Sequence, residues 1–379
     1  MPQQIGCLGG GQLGQMLALA GAPLGLRFTF LEPNPSAAAG QVGRQLVGSY
    51  DDPRLLAQLA ASSDLITFEF ESVPESSAQL LTRSCPVFPP PRALAVAQDR
   101  LLEKQLFNQL EILSSTYAEV SSDTDLVAAI SQVGVPARLK SRRLGYDGHG
   151  QALVLEPGEL ESAWFELDRV PAILEQVVPF ERELSALSVR AQSGEVGSYP
   201  LVENHHEAGI LRLTLAPAPG VTAQLESQAA AISAALLEQL EYVGLLAVEL
   251  FQVEGRLFAN EIAPRVHNSG HWTMDGAHCS QFENHLRAGL DWPLGETSNT
   301  GYTAMLNILG EEPEPAEVLS LPDAHLHLYG KDPRPGRKLG HVNINGTDPR
   351  QVTAQLQALA RALSVTLPDP GQEDSYWPV

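Results

Sequence analysis

The first seventy residues alternate between short apolar runs and longer segments with helical spacing, and this rhythm limits the architecture more than any other feature. Residues 4–9 (QIGCLG) read as a buried strand, GGGQ as a tight turn and LGQMLALAGAPLG as a short helix. RFTFLEP is the second strand, DDPRLLAQLAA the next helix and SSDLITFEF the strand after it. The alternation predicts a parallel sheet with crossover helices. It ends at CPVFPPPRALAVAQ, whose four prolines continue neither a helix nor a central strand and mark a domain boundary.

Beyond that boundary the pattern changes. DRLLEKQLFNQL is an amphipathic helix, and from about 135 to 190 the strands PARLKS, QALVLE, PAILEQVVPF and ERELSALSVR, separated by glycine turns, predict a small antiparallel lobe. Residues 223–242 form a long alanine- and leucine-rich helix. GLLAVELFQVEGRLFANEIAP then makes a hairpin turning near Gly255. A tail over 311–379 opens with the acidic linker EEPEPAE, and no internal repeat or low-complexity tract is found.

The bulk numbers exclude several classes. With 379 residues, 44% apolar content and 18% charge, the chain suits two or three packed domains and is too hydrophobic to be disordered. A formal charge of −21, spread along the sequence, repels nucleic acid and anionic membranes, so any phosphate site must be built locally. Cys7, Cys85 and Cys279 lack CxxC spacing and predict neither a disulfide framework nor a zinc knuckle. No targeting segment or membrane-length apolar run is read, which makes the cytoplasm the expected compartment.

Four constellations could carry chemistry. GGGQLG satisfies GxGxxG at Gly9, Gly11 and Gly14, with Glu32 ending the next strand, which fits an NAD-linked oxidoreductase or plain strand-to-helix packing. RLKSRRLGYDGHGQ places Arg138, Lys140, Arg142 and Arg143 ahead of Gly145, Gly148 and Gly150. Those glycines can expose backbone N–H groups as a nest while Lys140 offers a point charge, which describes a phosphate flap. No GK[ST] follows, so it is not a Walker loop; a basic surface hairpin is the bland alternative. In the hairpin, a turn centred on Gly255 sets Glu249 opposite Glu261, with Cβ atoms roughly 5 Å apart. A divalent cation removes their repulsion and Asn260 adds an oxygen donor, whereas a one-residue slip would send Glu261 to the other face. Without a metal, the pair reads as solvated acids on an edge hairpin.

RVHNSGH collects Arg265, His267, Asn268, Ser269 and His271. The two histidines have zinc-pair spacing, but Ser-Gly between them argues for a loop and against the helix that zinc geometry requires. Such a loop suits a small oxyanion such as bicarbonate or a phosphomonoester. Glu69 and Glu71 of FEFE lie on one face of a strand end, and KDPRPGRK supplies Lys331, Arg334, Arg337 and Lys338. Their bland readings are a half-buried strand and a solvated cationic turn.

The succession GGGQLG, TFEFE, DRLLEKQLF, LKSRRLGYDGHGQ, ILEQVVPFERELS, NHH, VELF, ANEIAPRVHNSGHWT and PGRKLGH resembles the 5-(carboxyamino)imidazole ribonucleotide synthases over nearly the whole chain. These are ATP-grasp enzymes of purine biosynthesis. The resemblance implies an α/β (α+β) protein with the ATP-grasp fold: a Rossmann-like parallel-sheet domain over 1–98, an antiparallel lid domain over 99–185, and a mixed α+β domain over 186–379 with a small subdomain from about 315. It implies ATP- and bicarbonate-dependent carboxylation of aminoimidazole ribonucleotide through carboxyphosphate, with Mg²⁺ or Mn²⁺, in a cytoplasmic homodimer without nucleic-acid or membrane partners.

Residue roles follow from the same resemblance. Arg100, Lys140 and the flap Gly145, Tyr146, Asp147, Gly148, His149, Gly150 and Gln151 would bind ATP phosphates. Glu175, Gln176, Val177 and Val178 would form the adenine hinge, Glu183 would hold the ribose, and His206 and Asn260 would complete the ATP site. Glu249 and Glu261 match the metal carboxylates. Tyr146, Arg265, His267 and Lys331 are the expected catalytic groups; Gln12, Glu69, Glu71, Asn268, Ser269, Arg337 and Lys338 are expected to face the substrate. His149 departs from the Lys or Arg usual there, and a histidine is only partly charged near neutral pH. Another ATP-grasp ligase of purine biosynthesis, the NAD-linked enzyme and a non-catalytic nucleotide sensor are the competing readings. Retention of Lys140, Glu249, Asn260 and Glu261 disfavours the sensor.

Overall fold

The computed structural model describes residues 3–143, 145, 150–369 and 375–377. Tyr146, Asp147, Gly148 and His149 of the expected flap lie outside the described residues.

The opening alternation folds as expected. β1 (Gln4–Leu8), α1 (Gln12–Gly21), β2 (Arg27–Glu32), β3 (Arg44–Val47), α2 (Pro53–Ala61) and β4 (Leu65–Phe68) build a parallel sheet of order β3-β2-β1-β4. β3 is absent from the sequence reading because it is a four-residue edge strand with a single buried side chain, Leu46. α2 starts cleanly: Asp52 accepts the Arg54 N–H at 2.8 Å, and Pro53 opens the first turn, where its missing N–H has no partner to lose. α3 (Glu75–Leu81) follows. The proline run then opens α4 (Pro91–Ala97), so the residues expected to interrupt regular structure begin a helix.

α5 (Arg100–Gln109), capped by Asp99, packs Phe107 into the core beneath the large sheet. Next comes the lid. β5 (Tyr117–Val120), α6 (Asp123–Val133), β6 (Ala137–Ser141), β7 (Gln151–Val154), α7 (Leu160–Glu166) and β8 (Ala172–Gln176) make an antiparallel sheet of order β5-β8-β6-β7. Its core holds Val120, Leu139, Trp164 and Leu174.

The segment ERELSALSVR, expected in this lobe, instead forms β9 (Arg182–Arg190) in the interior of the large sheet, with six consecutive buried residues. That run has no polar-out alternation because both faces are covered. β10 (Val196–Ser198), β11 (Val202–Glu207), β12 (Ile210–Ala216), α8 (Ala223–Gln239), β13 (Gly244–Val253) and β14 (Arg256–Ala263) follow. α9 (Thr273–Gly276), α10 (Gln281–Gly289) and β15 (Tyr302–Leu309) lead into the C-terminal segment. The expected EEPEPAE linker ends in a short helix, α11 (Pro315–Val318). β16 (Ala324–Leu328) and β17 (Lys338–Gly346) then extend the same sheet, and α12 (Pro349–Ala362) packs on it. The order is β14-β13-β9-β11-β12-β15-β17-β16 with β10 on β9. One edge strand, β14, faces the lid side, and that is where the charged residues gather.

Candidate active site

The β13–β14 hairpin sets the site's first geometry. Glu254 and Gly255 both have positive φ, 49° and 72°, the backbone of a two-residue turn that pairs Val253 with Arg256 and Leu250 with Ala259. Continued unbroken, that register would place Glu249 opposite Asn260. A bulge intervenes, and Glu249 pairs with Glu261. The extra residue, Asn260, therefore brings two carboxylates onto one face. Burial, and then the charge of Glu261, raise the Glu249 carboxyl above its ordinary value. Arg100 lies 3.0 Å from Glu261, and the His267 ring 3.4 Å from Glu249.

The lid supplies the facing cation. Lys140 on β6 reaches Glu175 on β8 at 3.2 Å, and burial depresses the lysine against the pull of that carboxylate. Glu175 also accepts from Ser115 Oγ at 3.0 Å and sits 3.5 Å from Lys104 of α5. Arg142, at the flap root, makes a two-pronged contact with Asp99 at 3.0 and 2.7 Å and reaches Glu119 at 2.8 Å; Arg143 joins Asp99 at 3.3 Å. Two of the four cations in the flap sequence thus tie the lid to the N-terminus of α5.

The far wall comes from the large sheet and the parallel-sheet domain. His206 on β11 contacts Glu183 on β9 at 2.9 Å; burial opposes its protonation, but the Glu183 carboxylate outweighs burial and raises its pKa. Arg265 donates to Glu71 at 2.5 Å. His267 accepts the Ser269 N–H at Nδ1 (3.3 Å), which leaves its ring proton on Nε2, toward Glu249. Burial and the neighbouring Arg265 push this imidazole down to about 3, so it is neutral throughout the physiological range. Asn268 and Asn307 join side-chain amides at 3.1 and 2.8 Å.

One cavity of about 1070 Å³ lies among these groups. Lys140, Gly145 and Gln151 form its lid side; Arg100, Glu249, Asn260 and Glu261 its floor. Glu183, His206, Arg265, His267, Asn268 and Lys338 form the far wall, with Gln12 and Glu71 at the parallel-sheet end. Several expected residues stand elsewhere. Glu69 is buried beneath the glycine turn, where it accepts the N–H groups of Gly11 and, at 2.8 Å, Gly14. A Cβ on Gly11 would lie 2.6 Å from Glu69 Oε1, so glycine there makes room for this carboxylate, not for a dinucleotide. Glu32 is likewise engaged by Gly10 N at 3.0 Å and Tyr50 Oη at 2.6 Å, which removes the ribose contact of the NAD reading. Ser269 is fully buried against His267. The Glu175 carboxylate lies behind Lys140, and the side chains of Gln176, Val177 and Val178 are off the cavity wall. Gly150 and Arg337 also lie off it. Lys331 is bound to Gln12 Oε1 at 2.9 Å and to the Lys338 carbonyl at 3.0 Å, outside the lining.

Sequence reasoning missed Glu103, Lys104 and the aromatic pair Phe180–Phe251, whose rings stack 4.5 Å apart at the cavity wall. Lys104 had a signal: it falls at i+3 from Leu101 and i−3 from Phe107, on the buried stripe of α5, where a lone cation is costly.

A lysine on a small antiparallel lid, facing paired acids on a larger sheet across a single cleft, is the arrangement of an ATP-grasp enzyme. The ATP-grasp domain family matches residues 105–282, the ribonucleotide synthetase preATP-grasp domain residues 2–98, and the phosphoribosylaminoimidazole carboxylase C-terminal domain residues 303–355. The chain belongs to the N5-carboxyaminoimidazole ribonucleotide synthase family. It is 49% identical to the member from Pseudomonas aeruginosa over 93% of this chain and 97% of that one. The crystal structure of the Thermus thermophilus synthetase superposes with a TM-score of 0.93 at 51% identity, covering 96% of this chain and 99% of that one. An Aspergillus clavatus synthase in complex with ADP and 5-aminoimidazole ribonucleotide matches at TM-score 0.89 and 29% identity, over 96% and 98% of the two chains.

Proposed function

We propose that this protein carboxylates 5-aminoimidazole ribonucleotide to N5-carboxyaminoimidazole ribonucleotide, with ATP and bicarbonate, and that its cavity holds the nucleotides as the relatives' complexes suggest. The observation that carries the site assignment is the Glu249–Glu261 pair facing Lys140 across one cleft. Among the described residues, no three His, Cys, Asp or Glu side chains are arranged to hold a metal alone. Two carboxylates suit Mg²⁺, which keeps water and takes its remaining ligands from nucleotide phosphates. When bound, such a cation would neutralise charge on the transferring phosphoryl group.

The protein groups divide the remaining work. Lys140 and Arg100 would bind phosphate oxygens, and their charges would stabilise the negative charge spread over the transferred group. The Phe180–Phe251 stack offers an apolar wall to adenine, next to the 175–178 hinge. Glu183, held by His206, would accept from the ribose. Arg265 would orient bicarbonate and the carboxyphosphate formed from it, while neutral His267 donates from Nε2 and does not compete as a cation. Glu71, paired with Arg265, stands at the end of the cavity nearest Gln12, where the acceptor amine would enter. The decisive assay is ADP release with ATP, Mg²⁺ and bicarbonate, with and without aminoimidazole ribonucleotide. Stimulation by that nucleotide, with formation of the carboxylated product, is expected. ADP release with no dependence on bicarbonate would overturn the assignment.

A further inference from the structure

The Asn260 bulge and Lys140 lie on different sheets, yet one buried side chain touches the supports of both. Lys104, on α5, is only 1% exposed. Its Nζ donates to the Asn260 carbonyl at 2.8 Å, lies 3.5 Å from Glu175 Oε2, and sits 5.5 Å from the centre of the Phe107 ring. It does not line the cavity. The preceding residue, Glu103, accepts the Ile262 N–H at 2.7 Å. A bulge leaves the extra residue out of the ladder, and β14 is an edge strand whose outer side, among the described residues, is met by backbone only at Ala259, where Leu113 accepts its N–H at 2.7 Å, so the backbone groups just beyond, at Asn260 and Ile262, take their partners from side chains. Two consecutive side chains of α5 supply them, one on each side of Glu261.

We infer that Lys104 is a positioning residue for the phosphate clamp: it fixes the bulge that aligns Glu261 with Glu249, and it anchors the carboxylate that aims Lys140. The inference rests on the proposed roles of Glu249, Glu261 and Lys140. Without Lys104 the Asn260 carbonyl loses its donor, and β14 can relax toward the unbulged register in which Asn260 faces Glu249. Glu175 keeps Lys140 but loses the base-side cation that locates it relative to the floor.

The test compares wild type, Lys104→Met and Lys104→Gln by two readouts, the half-saturating Mg²⁺ concentration and the KM for ATP, with amide exchange at Asn260–Ile262 as a third. Lys104→Met should raise both constants about 10- to 100-fold, the range seen when a partner of a metal ligand is removed. Amides at 260–262 should exchange faster while those of α8 stay protected. Lys104→Gln can still donate to the Asn260 carbonyl but carries no charge for Glu175; it should hold the Mg²⁺ constant near wild type while ATP KM rises. If Lys104→Met does not fold, the Gln variant still separates the two roles. Wild-type constants in the folded variants, with only a lowered melting temperature, would overturn the inference and leave Lys104 a core residue. Failure of the function itself would look different: wild type would lack Mg²⁺-dependent ATP turnover, and exchange at 260–262 would then decide whether Lys104 fixes the bulge.

Discussion

Glu175 illustrates how far one side chain can be read. Burial opposes its ionisation, but Lys140, Lys104 and Arg100 outweigh burial and hold the carboxyl at about 2. A free glutamate titrates near about 4.3. With the folded value the lower, the ionised group stabilises the protein above about pH 4.3, and the contribution fades as pH falls toward about 2. The interval corresponds to about 3 kcal/mol. Glu175→Gln leaves buried Lys104 and half-buried Lys140 without their anion and should lose about 3 kcal/mol at pH 7. Urea unfolding should show the deficit shrinking between pH 5 and pH 3; a deficit independent of pH would contradict the pairing. Glu261→Gln acts on chemistry instead. The amide keeps the shape beside Arg100 but loses a metal charge, so ADP release should fall by at least about 100-fold while circular dichroism and melting stay near wild type. Retained turnover would remove Glu261 from the metal site. Glu261 was legible in the sequence because like charges at facing hairpin positions need an explanation. The ion pairs of Glu175 were not legible, because nothing in its neighbourhood of sequence announces the two lysines that reach it from 35 and 71 positions away.

Secondary-structure elements were easier to recognise than their partners. The βα alternation named the parallel sheet, and the helices read in DRLLEKQLFNQL and over 223–242 lie where periodicity put them, as α5 and α8, since each pattern is local. ERELSALSVR belongs to the large sheet and not to the small lobe because strand pairing is not local: its place is set by β11 and β13 on either side, both distant in sequence, and its continuous burial by the cover on both faces. The glycine turn left its partner open for a related reason. GxGxxG records that an anion approaches the N-terminus of α1, but not that the anion is the protein's own Glu69, carried in by β4. Glu69→Ala should therefore leave the Gly11 and Gly14 amides unsatisfied and cost about 1–3 kcal/mol. Chemical denaturation measures that loss, and isothermal titration should detect no NAD binding to the vacated turn. Appearance of NAD affinity would revive the dinucleotide reading. The hairpin register was recovered for a different reason from the one expected: the turn is a two-residue turn at Glu254–Gly255, and the bulge makes good the missing residue.

Across the whole molecule, an acidic chain concentrates cations where two sheets and a lid meet. The net charge of −21 repels phosphate at long range, but Arg100, Lys140, Arg265 and Lys338 share one cavity, where low dielectric strengthens their attraction for an anion. A ligand held this way contacts the lid through Lys140 and the floor through Arg100, so it links units that meet otherwise through contacts such as Asp99–Arg142. Binding should therefore stabilise the native state: at ~100 times Kd the gain is about 2.7 kcal/mol. ATP with Mg²⁺ should raise the melting temperature, NAD should not, and added salt should weaken the ATP effect only modestly because the charges are buried. Lys140→Met isolates the lid's part in this. Glu175 still has Lys104 after the substitution, so the unliganded variant should melt close to wild type, whereas the shift produced by ATP should shrink or vanish. An ATP shift equal to that of wild type would mean that the lid lysine does not touch the nucleotide, and the clasp between lid and floor would have to be formed by other groups.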